Sequence, residues 1–335
     1  MKYHVYVSNS DSEYFSKFLL EEGKLTRGDD VPLDGCPGAV ATTADGRLLF
    51  VCLRTSKQLE SFRVDKVSGQ LASIGKVAVE DGPPYLKTDN TDQYLLTACY
   101  RAGIVTVHRI ADDGRLSAEP LQRIETEEHA HSIQADRSNR FVFVPHTNPA
   151  NAIYQFRFDA ATGALAANDP AKIQPSTPEG PRHFAFHPAK EILYSINENG
   201  CTVSAHHFDP DAGTLESFQV ISTHPEGFTG ESQSTAEIRV AADGRHLYAS
   251  NRGHNSLAIY NIDDDGRLAV VGHQPTEAIP RFFDIDPTGN FILAVGQESS
   301  RLASYKIDHG SGNLEPLETH EVGDSPLWIQ FVEAD

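Results

Sequence analysis

A Gly-x-Leu tripeptide returns seven times along the chain, at Gly23-Lys24-Leu25, Gly69-Gln70-Leu71, Gly114-Arg115-Leu116, Gly163-Ala164-Leu165, Gly213-Thr214-Leu215, Gly266-Arg267-Leu268 and Gly312-Asn313-Leu314, at intervals of 46, 45, 49, 50, 53 and 46 residues. Ahead of each copy runs an alternating segment that closes on Asp or a similar polar residue, as in Phe62-Arg63-Val64-Asp65, Phe156-Arg157-Phe158-Asp159 and Tyr305-Lys306-Ile307-Asp308. Strict alternation marks a half-buried strand, and no segment of helical period and length competes with it. A period of ~45 residues holding four short strands is one propeller blade, whose twisted sheet buries both faces only between neighbours. The repeat therefore predicts an all-β fold: a seven-bladed β-propeller of four-stranded antiparallel blades, in a single domain over residues 1–335. The last unit begins with Trp328-Ile329-Gln330-Phe331-Val332 and must take its other strands from residues 3 to about 30. N- and C-terminal strands then share one blade and close the ring without an open edge. A β-sandwich or several small β domains would not explain seven regular copies.

Charge narrows the partners. With 28 Lys+Arg against 47 Asp+Glu the net charge is −19, which disfavours a general electrostatic grip on nucleic acid or an anionic membrane surface. An anionic ligand must be held by a local cluster of cations. No stretch approaches the ~20 apolar residues of a membrane-spanning helix. The four cysteines, Cys36, Cys52, Cys99 and Cys201, are scattered and read as small core residues in a reducing compartment. The expectation is a soluble cytoplasmic protein, a monomer or weak homo-oligomer.

In a propeller, the start of each innermost strand and the loop leaving the next strand line one mouth of the channel. Counting back from each β-turn, the first position holds Gly38, Pro84, His131, Arg182, Ala236, Arg281 and roughly Leu327; the second holds Arg54, Tyr100, His146, Glu198, Arg252 and Gln297, with Ser8 or Asn9 from the closing blade. Hydrophobic patterning does not require that polar set. His131 and Glu198 lie in successive blades and can face each other as a general acid/base pair, with Arg182, Arg252 and Arg281 around them as an anion-binding ring. Polar residues at a channel mouth can also simply be solvated or pair with one another. His129-Ala130-His131 lacks a matching carboxylate or cysteine set, so no metal is expected. His206 and His207, in the outer strand 202–208, read as surface residues. No GxSxG elbow, phosphate loop or GxGxxG is present, so a serine triad, ATP chemistry and a Rossmann cofactor site lose support, and no cofactor is expected.

The segments Gly180-Pro181-Arg182-His183-Phe184-Ala185-Phe186-His187-Pro188, Asn197-Glu198, Asp243-Gly244-Arg245-His246-Leu247-Tyr248-Ala249-Ser250-Asn251-Arg252, Gln274-Pro275-Thr276, Pro280-Arg281-Phe282 and Ala294-Val295-Gly296-Gln297 together resemble the seven-bladed propeller lactonase family. That family includes bacterial cycloisomerase-type 6-phosphogluconolactonases and fungal carboxymuconate lactonising enzymes, and the likeness runs over essentially the whole chain, nearest the bacterial branch. The resemblance implies a catalytic histidine at His131, a glutamate at Glu198 and two arginines at Arg182 and Arg252. Arg281, Gln297, His183, His146 and Arg54 form the expected substrate-binding set. The chain departs from the family at His146-Thr147-Asn148-Pro149 and at residues 226–231, both of which can reshape the pocket.

The resulting expectation is a metal-independent lactonase that opens an aldono-δ-lactone, 6-phosphogluconolactone above others. Ring opening needs a nucleophilic water, oxyanion stabilisation and a proton for the leaving oxygen. His131 suits the base, with Glu198 orienting it or sharing the proton. The arginines at 182 and 252 suit the oxyanion or nascent carboxylate, and Arg281 a distal phosphate. Two alternatives stand: a cycloisomerase acting on a carboxylated lactone with the same His131 and Glu198, and a non-catalytic propeller scaffold. Ionisable residues gathered at one mouth speak against the scaffold, which would display aromatic and apolar hot spots there.

Overall fold

The computed structural model describes residues 1–230 and 233–335, so Glu231 at the end of the departing segment 226–231 lies outside the described residues. Seven antiparallel sheets follow one another round a ring, and among the described residues there is no helix. Numbering from residue 37, the blades cover residues 37–78, 85–125, 134–173, 181–222, 234–275 and 280–321, each with four strands paired in chain order. The fourth is representative, with Pro181–Phe186, Ile192–Asn197, Thr202–Asp209 and Thr214–Ser222 running outward from the axis. The seventh closes the ring as the sequence requires: Pro326–Glu333 pairs antiparallel with Lys2–Asn9, Trp328 opposite Ser8 and Val332 opposite His4. Beyond Lys2–Asn9 this blade carries Tyr14–Glu21, Lys24–Arg27 and a short extra strand, Val31–Pro32.

The Gly-x-Leu repeat is the seam between blades. All seven of its glycines have φ between 68° and 90°, where a side chain is strained. Each also rests against the start of the preceding blade's second strand: a Cβ on Gly213 would lie 2.0 Å from Phe141, and one on Gly266 2.0 Å from Ile192. Across the same seam, buried tyrosines donate to the glycine carbonyls, Tyr194 to Gly266 at 2.7 Å, Tyr248 to Gly312 at 2.9 Å and, over the ring closure, Tyr6 to Gly69 at 2.9 Å. Leu25, Leu116, Leu165, Leu215, Leu268 and Leu314 are buried behind it.

The cysteines are all free, with Cys52, Cys99 and Cys201 buried. His206 corrects the expectation of a surface residue. His207 is exposed, but His206 is buried, its Nε2 lies 3.0 Å from Ser195 Oγ, and burial pushes its pKa down to about 4. Alternation places one face of a strand toward solvent only where nothing stacks on it, and here the adjacent blade covers that face.

Candidate active site

At one end of the axis the starts of the innermost strands and the loops after the second strands enclose a cavity of about 570 Å³. Among the described residues, every blade except the fifth contributes to its lining. Phe282 and Trp328, stacked at 4.3 Å between ring centroids, give it an apolar patch suited to the carbon face of a small ring. His131, Arg182, His183 and Glu198 come from the third and fourth blades; Arg281 from the sixth, Arg54 and Lys57 from the first and Arg101 from the second complete the charged lining.

The hydrogen bonds around His183 define the proton positions on both imidazoles. Arg182 Nη1 lies 3.3 Å from His183 Nε2 and can only donate, so that nitrogen is an acceptor. The 3.1 Å contact between His131 Nδ1 and His183 Nε2 must then be donated by His131. His183 carries its own proton on Nδ1, donated to Glu237 Oε2 at 2.8 Å. His131 is consequently the Nδ1–H tautomer, which leaves Nε2 as a lone pair, without a protein partner among the described residues. Burial first, then the positive charge of Arg182, holds the pKa of both His131 and His183 well below the ordinary histidine range. Both rings are neutral at neutral pH.

Glu198 sits in the loop just past the strand Ile192–Asn197. Burial pushes its carboxyl up, but attraction from Arg182 and Arg252 outweighs this, and the pKa ends below the usual carboxylate value. Arg252 Nη2 is bonded to Glu198 Oε1 and, at 2.6 Å, to the Thr235 carbonyl; Arg182 Nε lies 3.9 Å from the same Glu198 oxygen. Arg281 differs. Among the described residues its guanidinium has neither a hydrogen bond nor a carboxylate at ion-pair distance, and desolvation followed by repulsion from Arg252 lowers its pKa. A desolvated guanidinium that faces a cavity with no bonded partner, and only Glu198 attracting it from a distance, is suited to an anion.

Where each strand stops separates the aligned positions, except for Gln297, which lies one residue past Phe291–Gly296 and still off the lining. Arg54, Tyr100 and Glu198 lie one residue past strands ending at Leu53, Cys99 and Asn197, and they reach the cavity. His146 and Arg252 are still inside their strands, Phe141–His146 and His246–Arg252, and are not among the lining residues. His146 is fully buried within the third blade, Nδ1 at 2.9 Å from the Val144 carbonyl and Nε2 at 3.0 Å from Thr126 Oγ1, and burial pushes its pKa to about 4. That packing corrects its expected contact with substrate. Arg252 backs Glu198 rather than facing the cavity, and Gln297 also lies off the lining. His183 lines the cavity, but both ring nitrogens are committed to protein partners. His129 is stacked on Tyr100 at 4.1 Å, and among the described residues no three His, Cys, Asp or Glu side chains are grouped for a metal.

Sequence reasoning missed Glu237. It is fully buried, and its Oε1 accepts from Arg239, which also bonds Asp284 Oδ1 at 2.6 Å. The available signal was a pair of charges two residues apart in Ser234–Val240, an innermost strand whose residues 235–238 are buried.

Fold and site define a β-propeller with an axial, arginine-lined cavity into which a neutral histidine presents a free lone pair. The chain belongs to the seven-bladed propeller lactonases, the family described as "Lactonase, 7-bladed beta-propeller", which matches residues 2–83 and 76–331. It is 33% identical over 338 residues to the 6-phosphogluconolactonase of Pectobacterium carotovorum subsp. carotovorum (strain PC1), covering 100% of both chains. The 6-phosphogluconolactonase of Cronobacter sakazakii (strain ATCC BAA-894) is 32% identical over 335 residues, 98% of each chain. Among solved structures, the periplasmic gluconolactonase of Pseudomonas aeruginosa superposes with a TM-score of 0.91 at 27% identity over 99% of each chain.

Proposed function

We propose that this chain hydrolyses 6-phosphogluconolactone to 6-phosphogluconate. The observation that carries the reading is the free Nε2 of a neutral His131 in the same cavity as an Arg281 guanidinium with no bonded partner among the described residues, supported by full-length likeness to proteins named 6-phosphogluconolactonase. His131 Nε2 removes a proton from water as the water oxygen bonds to the lactone carbonyl carbon. Glu198, held ionised, accepts the water's second hydrogen bond. Arg182 stabilises the tetrahedral oxyanion. The ring C–O bond then breaks, the departing oxygen takes the proton from the His131 imidazolium, and the new carboxylic acid ionises to solvent.

Arg281, with Arg54 next to it in charge, takes the phosphate. Arg252 acts through Glu198. The ring works as one domain, and the free cysteines support a reducing, cytoplasmic setting; no helix of the described residues is long and apolar enough to cross a membrane. The test is proton release from freshly made phosphorylated and plain aldonolactones, corrected for spontaneous opening. Turnover of the phosphorylated δ-lactone well above background is expected, and background rates on every lactone refute the reading. Activity is expected to survive exhaustive EDTA; loss restored by one divalent ion would contradict the metal-independent mechanism.

A further inference from the structure

We propose that Glu237, three residues deep in a buried chain behind the cavity, is a positioning residue that sets the protonation pattern of the His183–His131 pair and so keeps His131 Nε2 a base. The inference rests on the reading of His131 as the general base. Glu237 touches no lining atom that a substrate could reach: it is fully buried on the innermost strand of the fifth blade, the blade that lends no residue to the cavity lining among those described. Its two oxygens are divided. Oε2 takes the proton-bearing Nδ1 of His183 at 2.8 Å; Oε1 takes Arg239 and, at 3.0 Å, the backbone N–H of Ile238.

A carboxylate is acceptor-only, and that property propagates. Because Oε2 must accept, His183 places its proton on Nδ1. His183 Nε2 must then accept, which suits the donor-only Arg182 and obliges His131 to donate from Nδ1. Each link has a single consistent polarity, and it ends with the lone pair of His131 on Nε2. Burial raises the Glu237 carboxyl above the usual carboxylate value, and the pull of Arg239, shared with Asp284, offsets only part of that rise. The polarity of Glu237 is fixed by its neighbours: Oε1 meets only donors, Arg239 and the Ile238 N–H, and Oε2 meets a His183 whose other ring nitrogen already faces the donor-only Arg182.

Glu237→Gln breaks the polarity with one atom. An amide has one acceptor and one donor end, and Arg239 cannot accept, so the amide oxygen stays with Arg239 and the NH2 faces His183 Nδ1. The shorter 2.8 Å contact then takes the His183 lone pair, the 3.3 Å Arg182 contact to Nε2 is given up while Arg182 Nη1 keeps the Ala236 carbonyl, His183 protonates on Nε2, His131 Nδ1 becomes the acceptor, and the His131 proton moves to its own Nε2, where a base is needed.

The experiment compares Glu237→Gln, His131→Asn and the double variant by steady-state proton release with 6-phosphogluconolactone, and reads the histidine tautomers of wild type and Glu237→Gln by 15N NMR at neutral pH. Expected are a 10- to 100-fold lower kcat at little-changed KM for Glu237→Gln, the range seen when a partner that orients a functional histidine is lost, with a His131 Nδ1–H signal in wild type replaced by Nε2–H. In the His131→Asn background the same substitution should cost nothing further. An equal loss in both backgrounds, or an unchanged His131 tautomer in folded Glu237→Gln, overturns the proposal. Should that variant not fold, a wild-type His131 protonated on Nε2 overturns it and one protonated on Nδ1 supports it. Near-normal kcat in His131→Asn is a different failure, that of the base assignment itself.

Discussion

On the part of the lining formed by the third and fourth blades and backed by the fifth, polar groups are bonded to one another: His131 to His183, His183 to Glu237, Glu237 to Arg239, Glu198 to Arg252. On the rest of the lining, the second side, Arg54, Lys57 and Arg101 are exposed, and the Arg281 guanidinium has no bonded partner among the described residues. The first side is already organised before substrate arrives, which suits groups that act in the transition state. The second keeps its charges free, which suits ground-state capture of an anion, and its net positive field is local in a chain of net charge −19. Substitutions on the two sides should therefore leave different kinetic signatures.

The largest effect belongs to His131→Ala, which should lower kcat ~10²–10⁴-fold on phosphorylated and plain lactones alike, the usual worth of general acid/base catalysis. Steady-state rates on both substrates check it, and a loss confined to one lactone would dissolve the boundary between the two sides. Arg182→Gln should cost about 10²–10³-fold in kcat, as for a lost oxyanion donor; a change in KM alone would move Arg182 to the binding side.

Acid should also separate the sides. His131 and His183 are held well below the ordinary histidine range, and His146 and His206 at about 4. Between about pH 4 and 6.5 the unfolded chain therefore binds more protons at these positions than the native one, so stability rises with pH through that window and falls on acidification. The raised carboxyls of Glu237 and Asp284 act in the opposite sense, but the four histidines outnumber them. Scanning calorimetry should show Tm about 5–10 °C lower at pH 5 than at pH 7, while the acid limb of kcat/KM lies below the free-imidazole value of about 6.5. A limb at or above that value would mean His131 is not the buried neutral base. The smallest effect is expected far from both sides: Gly213→Ala, strained in φ and pressed on Phe141, should lose about 1–3 kcal/mol in urea unfolding with kcat per folded molecule unchanged.

The ring was readable because its signal is repeated: the seven glycines mark seams that each need a positive φ and a close approach, and no other residue supplies both. The cavity was readable at most positions where the chain leaves a strand, as at Arg54 and Glu198, though Gln297, placed the same way, lies off the lining. It was not readable one residue earlier. His146 and Arg252 end their strands inside the blades, and a single-residue difference in strand length cannot be counted from alternation. Glu237 escaped for another reason: its role depends on meeting His183 of the neighbouring blade, a contact that no spacing in the sequence encodes.

The division between the sides is tested most directly by Arg281→Ala kinetics on phosphorylated and plain gluconolactone, measured side by side. Expected is a KM raised about 10- to 100-fold for the phosphorylated lactone, the worth of a lost charged hydrogen bond, with kcat retained and the plain lactone unaffected. Equal losses on both lactones would contradict it, because Arg281 would then serve the reacting ring rather than the phosphate.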